Sequence, residues 1–448
     1  MKDIREYIEE NSELMLDILA KLISFPSENV QNSDYPFGLA NAQCLDYALS
    51  LCQEWGMKTV NHDYYVGYGE IGEGDKILGI GTHLDVVPAG SGWDSDPYVM
   101  TIKDGKAYGR GASDDKGPTA AALMALKYLI DNNVDLKKRI RIVFGSNEES
   151  GFACIHKYIE KEGQFEMGFV PDGPFPCCFG EKGIIRITLS SKNLVFKSIK
   201  SGVAANVVPN NCELTLASKL VDKTKVEDYL KNSPLITYSL TEDNDLLTMT
   251  TQGRAAHASR PELGINAAAY AIEALIAGGL KDAAIEEIYD KFKTEMHGES
   301  CGINLVDKYG KLTLNIGLIE VVDNNIEVTI DIRCPVTHKN EEVLSVLEKT
   351  IKNWQFTIVR LSPGMYIPED SDFVSSLISI YREVTGDDSQ PETMGGGTYA
   401  RVLDNTVAFG MGDKEDTHAH DANEFIRVDK LKRAVEIYIK TLLWMLEK

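Results

Sequence analysis

Five short stretches of this chain collect the residue types that bind cations and move protons. His83 and Asp85 lie in GTHLDVVPAGSGWD, Asp114 in GRGASDDKG, Glu148, Glu149 and Asp172 in NEESG and VPDG, and His420 in AHDANE. Imidazole and carboxylate donors in this mixture suit divalent ions such as zinc. Asp114 stands at the start of a helix, where backbone N–H groups hold a carboxylate in a position to bridge two cations. If His83 and Asp172 take one ion and Glu149 and His420 the other, each ion has three protein donors. A shared water then completes an open four-coordinate site. Three carboxylates against two divalent ions leave net positive charge, which acidifies the water and polarises a carbonyl oxygen. Glu148, beside Glu149, stays free as a general base. Asp85 is placed to accept the second N–H of His83 and fix its tautomer, and Asp115 is the less committed neighbour of Asp114.

Each fragment has a plainer reading. An isolated H-x-D is usually structural, and adjacent glutamates are usually a solvated pair. Their joint occurrence at strand ends points to a site instead. His418 competes with His420 in T-H-A-H, and the Asn-Glu that follows favours His420. His62, His156, His297 and His338 lie outside these clusters and read as surface or packing residues. The run Gly395 to Gly397 lacks the continuation of a phosphate loop and does not read as a nucleotide site.

The elements that must position these residues follow from hydrophobic periodicity. ILGIG running into His83, a helix from about Asp115 carrying AALMALKYLI, and RIRIVFGS ending at Asn147 make a βαβ unit, hence a parallel sheet covered by helices. GFVPD supplies another strand. Groups that follow directly on such strands converge at one sheet edge. From about Ile184 the pattern changes. LLTMTTQG, a helix near 264–276, KLTLNIG, IEVTIDIR, a helix near 341–351 and FTIVRL spell βαββαβ, the ferredoxin-like order. From Asp372 a helix, the strand NTVAFG and a last helix resume the first style. The fold expected is therefore α/β, a discontinuous catalytic domain (1–183 and 371–448) with a mainly parallel sheet, and an inserted α+β lid (184–370). Residues 184–240 exceed one ferredoxin-like unit and are expected to form an extra lid subdomain.

At 448 residues and 43% hydrophobic content, the chain has material for more than one core. Its 46 basic and 68 acidic side chains give a formal charge of −22, which repels nucleic acid and anionic membranes. The N-terminal stretch has Ile4, Ile8, Leu14, Ile18, Leu19, Leu22 and Ile23 at helical spacing among charges, the pattern of a docking helix rather than a signal peptide. With no apolar run of about 18 residues, a cytoplasmic location is expected. Eight scattered cysteines without CxxC pairs read as small buried apolar residues.

Taken together, GTHLDVVPAGSGWDSDPY, YGRGASDDKGPTAA, NEES, VPDG, GRAAHASRPELGINA, DIRCP, GGGTYAR and HDANEF resemble the aminoacylase and carboxypeptidase metallopeptidase family, within it most closely the PepV-type bacterial dipeptidases. The resemblance spans about 77–426. It implies metal ligands His83, Asp114, Glu149, Asp172 and His420, Glu148 as base and Asp85 as orienting carboxylate. It adds His257, in A-H-A-S, as the group that stabilises the oxyanion, and Arg333, in DIRCP, as the grip on the substrate's free carboxylate. Both roles are chemically apt. Asn206, Gly396, Gly397 and Thr398 are further candidates for substrate contact. The cofactors implied are two divalent ions, zinc before manganese or cobalt, and the partner is a small peptide. In dimeric members the oxyanion histidine comes from the second subunit. Here the enlarged lid favours a monomer over a dimer.

The function expected is metal-dependent hydrolysis of dipeptides with a free C-terminal carboxylate. An N-acyl-amino-acid deacylase or desuccinylase on the same fold is the near alternative, but a negative acyl group needs its own cationic anchor and none is legible. A non-catalytic peptide binder is the more distant one, and it has no use for an unligated Glu148.

Overall fold

In the computed structural model, which describes residues 2–30, 34–412 and 418–448, the strand Ile77–His83 is buried at every position. That is what a strand covered on both faces requires, and its run of apolar residues and glycines allows it. It pairs in parallel with Arg139–Gly145 on one side and Met167–Val170 on the other, and Met167–Val170 pairs in parallel with Thr406–Ala408. An antiparallel hairpin, Lys58–His62 with Val66–Ile71, extends one edge, and Cys178–Glu181 lies antiparallel beyond Thr406–Ala408. The hairpin is not among the elements expected from periodicity. Its buried Glu70 pairs with Arg141 at 2.6 Å.

The helix Lys116–Asp131 carries thirteen buried residues and packs against both Ser12–Ile23 and the C-terminal Val428–Glu447. Ser12–Ile23 buries Met15, Ile18, Leu19, Leu22 and Ile23. Each such side chain contributes about 1.5–3 kcal/mol, so this amphipathic N-terminal segment docks as its spacing predicts. Among the described residues, no helix is long and apolar enough to cross a membrane. All eight cysteines are buried.

The chain divides into two units. The first comprises Met1–Gly180, Ile367–Glu392 and Gly397–Lys448, and the second Glu181–Tyr366 with Thr393–Gly396. The sheet of the second unit is antiparallel throughout, in the order Thr237–Asp243, Leu246–Gln252, Asn211–Ala217, Phe196–Ser201, Thr313–Val322, Asn325–Cys334, Gly183–Lys192, Gln355–Ser362. Two features depart from the expected lid. The strands of residues 184–240 do not form a separate subdomain, because they enter this one sheet and share its core. Ile185, Ile187, Leu214 and Leu216 are buried in the same cluster as Leu275 and Leu347. Also, the strand lying between Asn325–Cys334 and Gln355–Ser362 is Gly183–Lys192, not Leu246–Gln252. Both candidates alternate apolar and polar residues, so period alone does not select the neighbour. The ten-residue register along Asn325–Cys334 does.

Candidate active site

The first unit brings its sequence-distant ligand candidates to one edge of the sheet. His83 closes the strand Ile77–His83, Asp172 follows Met167–Val170 by two residues, and Glu148 and Glu149 follow Arg139–Gly145. Asp114 arrives just before the helix Lys116–Asp131, and His420 from the loop before Phe425–Arg427. Two triads result, His83–Asp114–Asp172 and Asp114–Glu149–His420, each with its potential ligand atoms within 4.8 Å of one another. Asp114 belongs to both. Its Oδ1 lies 2.9 Å from Nε2 of His83 and its Oδ2 lies 3.2 Å from Nε2 of His420, so the two oxygens of one carboxylate face two imidazoles. Nε2 of His420 is also 3.1 Å from Glu149 Oε1, and His83 is 3.8 Å from Asp172 Oδ2. His418 belongs to neither triad and lies against the ring of Phe425. His62, His297 and His338 bond elsewhere, to Glu162, the Leu312 carbonyl and Glu342.

The electrostatics of this centre are lopsided. Burial drives the Glu148 carboxyl well above its ordinary range, and the charges of Asp172, Glu149 and Asp114 add to the effect against the pull of His83. Glu149 is raised by burial and by Asp114. Burial alone would lower the His83 imidazole, but the hydrogen-bonded Asp114 carboxylate and the nearby Asp85 carboxylate raise it well above its usual value. Asp114 and Glu149 lift His420 to about 11. Asp114 itself is held below its ordinary range, because its bonds to His420 and His83 outweigh its burial. Carboxylates crowded out of water need compensating positive charge. In the metal-free protein the imidazoles supply it as protons. Divalent ions suit the same donor set without protonating it.

Asp85 differs from its expected role. Nδ1 of His83 lies 3.0 Å from the main-chain carbonyl of Asp85 and 3.6 Å from its carboxylate. The carboxylate instead accepts the backbone N–H groups of Glu148 and Glu149 at 2.9 and 3.1 Å, and the Asn29 amide at 3.1 Å. Asp85 therefore orients the imidazole through its backbone and the Glu148–Glu149 turn through its side chain. Asp115 is not a loose neighbour. It is fully buried, and its Oδ2 accepts the His83 N–H at 3.2 Å.

Two supporting residues are not evident from the sequence. Glu424, in the HDANE run, is buried, and its carboxylate accepts from Arg110 at 2.8 Å, Gly111 N–H at 2.9 Å, Ser113 N–H at 2.8 Å, Ser113 hydroxyl at 2.9 Å and Asp114 N–H at 3.2 Å. One carboxylate thus fastens the Asp114 loop to the chain four residues beyond His420. Tyr399 packs edge-on to His83, with ring centroids 6.4 Å apart. A Cβ at Gly145 would stand 2.0 Å from the Tyr399 hydroxyl, so glycine is required there.

The second unit gathers the other candidates. His257 pairs across a bridge with Val207, and the Ala258 N–H donates to the Asn206 carbonyl at 2.8 Å. Nδ1 of His257 accepts the Ser259 N–H at 3.2 Å and lies 2.7 Å from the Ser259 hydroxyl. An Nδ1 that accepts leaves the proton on Nε2, which makes that atom a donor. Burial lowers the His257 pKa, and Arg333 and Arg260 lower it further against the pull of Asp331. Arg333 is buried near the end of Asn325–Cys334. Its Nε donates to Asp331 Oδ1 at 2.6 Å and its Nη1 to the Gly395 carbonyl at 2.9 Å. Arg186 shares the same Asp331 carboxylate at 2.9 Å. Gly396 is open, with nothing within 4 Å of the place a Cβ would take. Gly397 and Thr398 fall in the first unit and have packing roles. The Arg401 guanidinium occupies the space a Cβ at Gly397 would need, and the Thr398 hydroxyl accepts the Ala400 N–H.

The model of the peptidase family M20/M25/M40 matches residues 79–444. This chain belongs to that family. It is 35% identical over 463 residues to a Staphylococcus saprophyticus protein that carries the name "Putative dipeptidase", covering 98% of each chain, and equally to a Staphylococcus haemolyticus protein of the same description. In fold it is similar to an M20 family metallo-carboxypeptidase from Sulfolobus solfataricus (TM-score 0.61, 20% identity, 97% of this chain and 99% of that one). It is also similar to human carnosine dipeptidase 1 (TM-score 0.60, 17% identity, 99% and 98%). As an M20 family peptidase the protein is a metal-dependent hydrolase.

Proposed function

We propose that this M20 family enzyme is a dipeptidase that hydrolyses the amide bond of dipeptides with a free C-terminal carboxylate. The observation that carries the reading is the shared Asp114, whose two oxygens face His83 and His420 beside a Glu148 that neither triad uses. The staphylococcal relatives named as dipeptidases support the choice of substrate. His83, Asp114 and Asp172 would hold one divalent ion, zinc by donor chemistry, and Asp114, Glu149 and His420 a second. When bound, such ions supply Lewis acidity toward a water and the scissile carbonyl.

The chain's own groups do the rest. Glu148 takes a proton from the attacking water and returns it to the leaving amine, its carboxyl raised above the ordinary range by burial and by its carboxylate neighbours. Asp85 fixes Glu148 by accepting its backbone N–H. His257, neutral and protonated on Nε2, donates to the carbonyl oxygen as negative charge develops there. Arg333, held by Asp331, pairs with the substrate's carboxylate.

The test is a panel of free dipeptides beside N-acetylated and C-amidated versions, offered to metal-loaded enzyme and to Glu148→Gln. Cleavage of the free dipeptides alone, lost in the variant, is the expected result. Cleavage of N-acyl substrates instead would make the protein a deacylase.

A further inference from the structure

We propose that Arg260 is a second substrate anchor that selects dipeptides whose C-terminal residue carries an acidic side chain, a refinement that rests on the dipeptidase reading. Arg260 closes a turn on His257, its N–H donating to the His257 carbonyl at 2.9 Å. His257 is tied in turn to Ser259, a Cβ on Gly395 would collide with Ser259 at 2.3 Å, and the Gly395 carbonyl accepts from Arg333. Arg260, His257, Ser259, Gly395 and Arg333 are thus one contiguous patch.

Its cations are not held alike. Asp331 is shared by Arg333 and Arg186, and the nearby Arg254 is tied to the Leu263 carbonyl at 2.7 Å. Arg260 has no hydrogen bond or ion pair from its side chain among the described residues, and it is exposed. Glu262, on the same loop, makes no ion pair with it and acts on Lys182 instead. Asp331 is thus taken up by Arg333 and Arg186, while the Arg260 side chain meets solvent. Arg260 is tied to His257 by its backbone, and Arg333 reaches the same turn through Gly395 and Ser259; with its main-chain carboxylate on Arg333, a substrate would turn its C-terminal side chain toward Arg260. A carboxylate there meets the exposed Arg260, whose guanidinium fork recognises it bidentately.

The experiment compares kcat/KM for Leu-Glu and its uncharged isostere Leu-Gln, with N-succinyl-leucine as a third substrate, in the wild-type holoenzyme and in Arg260→Ala, Arg260→Glu and Arg260→Lys. The Leu-Glu to Leu-Gln ratio should favour Leu-Glu by about fivefold to tenfold, the size of a charge-assisted contact partly open to water. It should lie mainly in KM and shrink with salt. Arg260→Ala should collapse the ratio, Arg260→Glu invert it and Arg260→Lys restore part of it. A wild-type ratio near one, or a ratio that Arg260→Ala leaves unchanged, overturns the proposal while the dipeptidase reading stands. Cleavage of N-succinyl-leucine with the same dependence on Arg260 overturns it by moving the charge to the acyl side. Failure to cleave either dipeptide removes the dipeptidase reading and this refinement with it.

Discussion

The metal-ligand cluster of the first unit and the arginine cluster of the second are charged in opposite senses and handle that charge differently. Around Asp114, four carboxylates (Asp114, Glu148, Glu149 and Asp172) act on one another where water is scarce, and the pKa values of Glu148, Glu149, His83 and His420 all rise in response. Near His257 the guanidinium groups of Arg186 and Arg333 share Asp331, and Arg260 stands exposed to solvent. A buried surplus has to be met by a tightly held counter-charge, so the first cluster suits a resident cofactor. An exposed surplus is hydrated at little cost and remains available to a partner that comes and goes, so the second suits substrate.

The sharpest way to break this contrast is to remove the group that the acidic cluster keeps out of ligation. Glu148→Gln should lower kcat by about a thousandfold with metal content unchanged, as read by steady-state kinetics beside elemental analysis. Loss of metal instead would make Glu148 a ligand. Next in size is Glu424→Gln, which leaves Arg110 buried beside a neutral amide and loosens the Asp114 loop. It should cost about 3 kcal/mol in urea unfolding and weaken metal binding by about 10- to 100-fold in a chelator competition. If the acidic cluster waits for cations, its proton load should also show. In the metal-free protein His420 is raised to about 11, so at neutral pH its imidazole is protonated and must lose that proton to ligate. Apparent metal affinity should therefore rise with pH between about 6 and 8, by about tenfold per unit for each proton expelled, in calorimetric titrations. The smallest effect on turnover belongs to the arginine cluster, at its buried Asp331. Asp331→Asn releases Arg333 from its clamp and should raise KM about tenfold or less for free dipeptides, with little change for C-amidated ones. Equal changes for both would make Asp331 purely structural.

The sequence made the acidic cluster more legible than the basic one. His83, Glu148, Glu149 and Asp172 stand just beyond strands recognisable from apolar runs, and parallel strands bring their C-terminal ends to one edge whatever their separation along the chain. The donors therefore declared themselves by position. Their supports did not. Glu424 lies more than 300 residues from the loop it fastens, and nothing in HDANE reveals that its carboxylate accepts backbone N–H groups. The role of Asp85 was half legible, since H-x-D suggests an oriented imidazole but not that the carbonyl takes the ring while the carboxylate takes the next loop.

In the second unit, alternation located the strands of the lid and left their neighbours open, because Gly183–Lys192 and Leu246–Gln252 are equally good amphipathic strands. Only the hydrogen-bonded register placed the former beside Asn325–Cys334 and drew residues 184–240 into the same sheet. Arg260 was likewise visible as a letter in HASRPELG, while its lack of a side-chain partner among the described residues is a property of the folded surroundings. The sequence by itself determined which donor groups this protein can bring to one sheet edge, because residue type and strand-end position are local. The tertiary structure alone decided which carboxylate meets which donor and which cation is left over, because pairing depends on distances that the chain order does not encode.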